Sequence, residues 1–259
     1  MKRFLVYIFL AFMAVPSLHA TVFLVGRNIA ISPGKSEDSL MLKDMGHSYL
    51  VIVPDSPEKV KQVSPLYAQW EKEIGCGKRG VIIGAYPEDN VSLLKASLQA
   101  QINATREDVP TQSFLCGTQD KKTVWNFTGG PVKSNLAEEE FIRRLLLNVQ
   151  RYITVTKEHP IDYHALRSVA ERTKNPEATW AQNCNAFAFS LLVYSGVNEI
   201  PTISTRHRAM PGHHRLLPDT LFYTFPPTSG ILEKLRTEKS TFPHVLNRII
   251  RSIRCQLQR

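Results

Sequence analysis

Residues 182–192 limit most strongly how this chain can fold, because they predict an apolar helix that has to be buried. Their sequence, QNCNAFAFSLL, sets Cys184 between two asparagines, and either Asn183 or Asn185 can cap the first backbone N–H groups. Gly196 lies where the helix is expected to end, about three turns later. Cys184 is therefore expected in the first turn, at the positive end of the helix dipole, where a thiolate is favoured.

The same spacing also fits a cysteine that is only part of the core. Cys184 shares one helical stripe with four apolar residues, Phe187, Ala188, Leu191 and Leu192. Free cysteine is among the most buried residue types, so a buried structural thiol explains the pattern as well. A nucleophile and a core thiol both remain open at this point.

A second segment, residues 47–53, predicts a β-strand that begins at a histidine. Its sequence, HSYLVIV, is rich in β-branched and aromatic residues. A third segment, Met210-Pro211-Gly212, predicts a loop after the cysteine helix. His47 thus precedes Cys184 in the chain, which matters only if the two side chains meet in space.

Together these segments, with Ser195-Gly196-Val197 after the cysteine helix, resemble permuted papain-fold thiol hydrolases. That superfamily includes the PPPDE group of desumoylating isopeptidases, lecithin:retinol-acyltransferase-like proteins and permuted bacterial cell-wall peptidases. The resemblance covers three short parts of residues 47–212. It implies an α+β, permuted papain-like fold in which an antiparallel sheet packs against helices and the nucleophile lies at a helix N-terminus. It also implies amide cleavage by a Cys–His pair, without a cofactor.

Chain order favours His47 as the base. In unpermuted papain-type enzymes the histidine follows the cysteine by about 130–150 residues, whereas about 75 residues follow Cys184 here. His213, in an arginine-rich loop with His207 and His214, is the alternative base. We expect no metal at that histidine cluster, since no acidic or cysteine ligand stands nearby at a recognised spacing.

The resemblance also assigns roles around the nucleophile. The backbone N–H of Cys184 would stabilise the oxyanion, with Gln182 or Asn183 as side-chain donors. No residue clearly matches the family's third catalytic position. Tyr49 and Asn185 are the candidates to support His47, although strand packing and helix capping account for them more simply.

The N-terminus predicts export. Residues 1–20 combine Lys2 and Arg3 with an apolar run from Phe4 to Val15 and an alanine-ended cleavage region, which is typical of a signal peptide. The apolar run is too short to cross a bilayer, and no later stretch predicts a transmembrane span. Residues 21–259 are expected to form one periplasmic or secreted domain.

The cysteine content fits an oxidising compartment. We expect Cys76 and Cys116, each beside a glycine in a predicted loop, to form a disulfide, and Cys184 to be free. The connectivity cannot be deduced from spacing alone.

The formal net charge is +9 for the full sequence and +7 without Lys2 and Arg3 of the signal peptide, which indicates attraction to anionic surfaces such as cell-wall polymers or lipid headgroups. No nucleic-acid-binding motif is present, so nucleic acid is not an expected partner. Residues 247–257 predict a basic C-terminal helix.

Elsewhere the patterns predict interspersed short elements. The expected strands are residues 21–25, 80–85 and 152–156, and the expected helices are residues 56–74 with a break at Pro65, 89–102 and 136–149 capped by Ser134 or Asn135.

As a function we expect an exported cysteine hydrolase acting on an amide or isopeptide bond, in a peptidoglycan peptide or a protein. Two alternatives remain: a non-catalytic exported binding module in which Cys184 is structural, and a thiol acyltransferase acting on lipid.

Overall fold

A computed structural model describes seven parts of the chain: residues 21–28, 46–88, 97–103, 128–164, 182–203, 215–226 and 230–237. The strands are β1 (Val22–Asn28), β2 (Gly46–Ile52), β3 (Lys72–Gly75), β4 (Lys78–Pro87), β5 (Leu98–Ile102) and β6 (Thr128–Pro131). The helices are α1 (Pro57–Val63), α2 (Pro65–Trp70), α3 (Glu138–Glu158), α4 (Cys184–Tyr194) and α5 (Gly230–Thr237), with a short 3-10 turn at Asp219–Leu221. The signal-peptide region, Cys116, the Met210 loop, His213 and the C-terminal basic segment lie outside the described residues.

The strands form an antiparallel sheet in the order β3-β4-β2-β1-β6, with β5 also pairing with β4. β1 and β2 pair along their whole length, from Val22–Ile52 to Asn28–Gly46. Helices pack against this sheet, so the structure confirms the mixed α+β class with an antiparallel sheet.

β2 and β4 separate part of the way along. Their ladder comprises three residue pairs and ends at Leu50–Ile83. β5 pairs with the opposite edge of β4, from Ile83–Ile102 to Pro87–Leu98. Within the described residues, residues 46–49 of β2 therefore form ladder pairs only with β1, although Tyr86 of β4 lies against His47.

The two faces of the sheet belong to different apolar clusters. Leu50 and Ile52 belong to the main core, together with apolar residues of α3 and α4. Tyr49 and Val51 alternate with them and belong to a smaller buried cluster on the opposite face. Every residue of α4 is buried, which explains why its sequence is apolar on all sides.

α3 is longer than expected and includes residues 152–156, so the predicted strand there is wrong. Tyr152 is fully buried, and its hydroxyl donates to the carbonyl oxygen of Leu98 at 2.8 Å. The hydroxyls of Thr154 and Thr156 donate to the carbonyls four residues earlier, at 2.9 and 2.7 Å. Tertiary packing thus outweighs the strand preference of these β-branched residues.

Three other local predictions need correction. Residues 98–102 form strand β5 and not the end of a helix, because they pair with β4. The helical prediction for residues 56–74 is confirmed in α1 and α2, with the break at Pro65, but residues 72–75 form strand β3. α3 begins after Ala137, which makes no side-chain capping bond, so the predicted cap at Ser134 or Asn135 is wrong.

The cysteines follow part of the prediction. Cys76, in the turn between β3 and β4, is disulfide-bonded, and its partner lies outside the described residues. Its pairing with Cys116 remains a prediction. Cys184 is a free thiol. Among the described helices, none has the length and apolar character needed to span a membrane.

Candidate functional site

The predicted cysteine helix is confirmed at both ends. α4 starts at Cys184, and the side-chain oxygen of Asn183 accepts from the backbone N–H groups of Asn185 (3.0 Å) and Ala186 (3.1 Å). Asn183 is therefore the cap, and its oxygen is committed to that role. After the last turn, Gly196 adopts a φ of +99°, a left-handed conformation that suits glycine.

The sulfur of Cys184 is enclosed by backbone donors. The backbone N–H groups of Ser48, Asn185 and Cys184 itself point at it, and Cys184 is only 3 % exposed. Burial raises the pKa of the thiol to about 11, although these donors and the charge of Arg27 oppose that effect. At neutral pH Cys184 is therefore a protonated thiol, and the backbone N–H groups around it could donate hydrogen bonds to a thiolate.

His47, the second residue of β2, is buried among aromatic rings. Its ring stacks on Tyr49, with centroids 5.8 Å apart and planes at 20°, and lies 4.7 Å from the ring of Tyr86. Its Nε2 is buried and, within the part of the chain that the structure describes, has no hydrogen-bond partner. Burial, and then the charge of Arg27, lower the pKa of His47 well below 6.5, so the imidazole is neutral at neutral pH.

The thiol and the imidazole approach the same point of β2 from different sides. Stacking on Tyr49 places His47 on the face of the smaller apolar cluster, whereas α4 packs on the main-core face. The sulfur nevertheless reaches the strand backbone, at the N–H of Ser48, the residue directly after His47. This contact lies before Leu50, where the ladder to β4 has ended.

Arg27 is a site residue that the sequence reasoning missed. It lies opposite His47 in the β1–β2 register and is only 1 % exposed. Its charge lowers the pKa values of both His47 and Cys184. A signal was available, because Phe23, Val25 and Arg27 alternate along β1 and place a charge in line with two apolar residues.

Asn185 joins the helix to the histidine strand. Its side-chain oxygen accepts from the hydroxyl of Ser48 at 2.8 Å, and its amide nitrogen donates to the carbonyl of Gly46 at 3.1 Å. Both residues that flank His47 are therefore bound to the residue that follows Cys184. Asn185 does not act through its side chain as the helix cap.

Gln182 and Tyr163 border the site on the other side. The backbones of Gln182 and His164 exchange two hydrogen bonds of 2.8 and 3.0 Å, which place Tyr163 beside the cysteine loop. Burial, and secondarily the charge of an ionised Cys184, raise the pKa of Tyr163. Only the amide nitrogen of the Asn183 side chain could donate to an oxyanion, because an amide oxygen only accepts hydrogen bonds.

Among the described residues, no group of three or more His, Cys, Asp or Glu side chains is arranged to hold a metal ion. In comparisons with known proteins, no family model, no curated protein and no solved structure matches this chain.

Proposed function

We propose that this chain is an exported cysteine hydrolase that cleaves an amide or isopeptide bond with Cys184 as nucleophile and His47 as base. We further propose that its α+β fold is a permuted papain-like one. In support, the strand that carries the histidine precedes the helix that carries the cysteine, and the two elements pack against each other.

The observation that carries the proposal is the environment of the sulfur. A free thiol in the first turn of α4 accepts from the N–H of Ser48, directly after a neutral histidine whose Nε2 has no hydrogen-bond partner among the described residues. Backbone donors around a sulfur stabilise the thiolate that an attack requires. An unpartnered imidazole nitrogen is the acceptor that a thiol proton requires.

The mechanism begins from the neutral pair. His47 takes the thiol proton of Cys184 as the sulfur attacks the substrate carbonyl, so an S–C bond forms and the carbonyl oxygen becomes an oxyanion. The intermediate collapses to a thioester when the C–N bond breaks and the amine leaves with the proton from His47. Water, deprotonated by His47, then attacks the thioester and releases the carboxylic acid and the thiol.

The two side chains lie on different faces of β2, so the proton transfer needs a route around the edge of this strand. The ladder between β2 and β4 ends at Leu50–Ile83, which leaves residues 46–49 without strand hydrogen bonds on that edge in the described part of the sheet. We propose that the imidazole and the sulfur meet around this edge, beside the backbone of Ser48. Burial raises the pKa of Cys184 and lowers that of His47, so the neutral pair and not the ion pair is the resting state, although the charge of Arg27 favours the thiolate.

As substrate we propose a peptidoglycan peptide or a protein amide. Support comes from the predicted export signal and from the formal net charge, which stays positive at +7 without Lys2 and Arg3 and attracts anionic cell-wall polymers.

The second candidate function is a non-catalytic exported binding module. Its support is the burial of Cys184 and the rise of its pKa to about 11, which a core thiol also shows. The two functions differ in whether Cys184 reacts in the folded protein.

An electrophilic peptide-like probe on the purified protein tests the proposal, with labelling located by mass spectrometry and muropeptide hydrolysis followed in parallel. We expect labelling at Cys184 that is lost in Cys184→Ala and falls at least about 100-fold in His47→Ala, the range for losing a general base. His159→Ala, at the exposed end of α3, is the matched control and should leave labelling unchanged. His213→Ala tests the alternative base.

Protection of Cys184 from the probe until the protein unfolds would support the binding module. Labelling that is indifferent to His47→Ala would remove His47 as the base.

A further inference from the structure

Both polar atoms of the Asn185 side chain form hydrogen bonds with strand β2. The oxygen accepts from the Ser48 hydroxyl at 2.8 Å, and the nitrogen donates to the Gly46 carbonyl at 3.1 Å. Asn185 is 1 % exposed and Ser48 is fully buried. Since Asn183 caps α4, helix capping does not explain why an asparagine follows the cysteine.

The two bonds bracket His47. Gly46 precedes it and Ser48 follows it, so one amide plane fixes the strand on both sides of the histidine. This amide belongs to Asn185, the residue directly after Cys184. Only Asn185 and Ser48 therefore stand between Cys184 and His47 along this connection, although cysteine and histidine are far apart in the chain.

The start of β2 is paired along one edge only. It pairs with β1, but its ladder to β4 ends at Leu50, so within the described sheet no ladder pairs fix residues 46–49 on that side. An apolar side chain would fill the same space, but hydrogen bonds at two defined points fix direction as well as distance. Ser48 is held twice, by its hydroxyl to Asn185 and by its N–H to the sulfur of Cys184.

We propose that Asn185 is a positioning residue that, through Gly46 and Ser48, sets His47 in place relative to Cys184. This inference rests on the proposed function, because it assigns a role within the same Cys–His pair. Asn185 acts through its neighbours and does not itself take part in proton transfer.

The chain offers a matched control in Asn148. This asparagine is also fully buried, and it also makes one bond to a serine hydroxyl and one to the backbone: its nitrogen donates to Ser195 at 3.0 Å, and its oxygen accepts from the Tyr223 N–H at 2.6 Å. Ser195 follows the last residue of α4, roughly 16 Å along the helix from Cys184. Removing Asn148 should therefore cost comparable stability without touching the site.

The experiment measures the second-order rate of probe labelling at Cys184, its pH profile and the urea midpoint of the full chain. The variants are Asn185→Leu, Asn185→Asp, Ser48→Ala and Asn148→Leu. We expect Asn185→Leu and Ser48→Ala to lower the rate at least about tenfold and to move the pH profile, whereas Asn148→Leu changes only the urea midpoint. Asn185→Asp keeps the acceptor for Ser48 and should retain more of the rate than Asn185→Leu.

Combining Asn185→Leu with Ser48→Ala should lower the rate by less than the product of the single effects, because both variants break the same bond. If His47→Ala lowers labelling but Asn185→Leu behaves like Asn148→Leu, the positioning role is overturned and the proposed function stands. If His47→Ala leaves labelling unchanged, the proposed function fails and the positioning role fails with it.

Discussion

Arg27 and His47 lie directly opposite each other in the β1–β2 register, and both side chains are buried. The guanidinium adds to burial in holding the pKa of His47 well below 6.5. Arg27→Met should therefore raise the pKa of His47 towards 6.5, since it removes the charge and leaves the burial. An NMR titration of the imidazole protons measures this pKa directly.

The same shift predicts how stability depends on pH. Because the folded protein holds His47 neutral, the contribution of the neutral imidazole to the free energy of unfolding is complete above pH 6.5. It is lost as the pH falls below that value, where the unfolded protein binds the proton more readily. The acid side of the stability profile should be shallower in Arg27→Met than in the parent. Arg79→Met, at a largely exposed site, is the control; an unchanged His47 titration in Arg27→Met would contradict the assignment.

Cys184 should react slowly with small alkylating reagents at neutral pH. A thiol with a pKa of about 11 carries about 300-fold less thiolate at pH 7 than a free cysteine with a pKa of about 8.5. Iodoacetamide labelling should rise about tenfold per pH unit towards that pKa, and Cys184→Ser should abolish it at this position.

The labelling rate of the folded protein is compared with that of the urea-unfolded protein, in which Cys184 should react like an ordinary thiol. Rapid alkylation of the folded protein at pH 7 would mean that the thiolate is already present at rest. The neutral starting pair of the mechanism would then be wrong.

Gly84 makes room for the ring that covers His47. A Cβ atom at this position would lie 2.8 Å from Cε2 and 2.9 Å from the hydroxyl oxygen of Tyr86. Gly84→Ala should therefore displace Tyr86, admit water to His47 and raise the pKa of the imidazole. Overpacking of this kind typically costs about 1–3 kcal/mol in the free energy of unfolding.

Gly230→Ala is the control for this change. Among the described residues, no atom lies within 4 Å of the position that its Cβ would take, so a clash should not destabilise the Gly230→Ala protein. A Gly84→Ala protein that keeps the parent's His47 titration would show that Tyr86 does not shield the imidazole.

Glu140 stabilises the first turns of α3 by binding two arginines. Its carboxylate accepts from Arg143 at 2.7 and 2.9 Å and from Arg144 at 2.6 Å, and these bonds, led by Arg143, lower its pKa to about 2. Glu140→Gln should lower the free energy of unfolding at pH 7 by on the order of 2 kcal/mol, as for lost bonds to charged groups.

The stabilisation from Glu140 is complete above the ordinary glutamate pKa of about 4.5 and is lost as the pH falls towards 2. Urea midpoints of parent and variant should therefore converge over that interval. Glu139→Gln removes a carboxylate from the same turn and tests whether the helix dipole alone accounts for the effect. A gap that persists at pH 2 would contradict the ion-pair origin.

The sequence was sufficient for elements whose signals are local. An asparagine cap at position 183 or 185, Cys184 in the first turn and Gly196 after the last turn follow from capping rules that need no tertiary information, and the structure selects Asn183. The strand at His47 was identified because β-branched and aromatic residues follow it without interruption.

The sequence was insufficient where distant parts of the chain decide the structure. Leu98 and Ile102 fit one face of a helix, but pairing with β4 makes them a strand, and residues 152–156 prefer a strand but continue a helix. Arg27 and Ser48 join the site through cross-strand and helix–strand contacts, which no local pattern encodes.

The same chain holds an oxidised cysteine at position 76 and a reduced one at position 184. Disulfide exchange and peroxide attack both require an accessible thiolate, and Cys184 offers neither accessibility nor charge at rest. The enclosure that slows the chemistry of Cys184 therefore also preserves it, by keeping this sulfhydryl from exchanging with the disulfide of Cys76 in the folded protein.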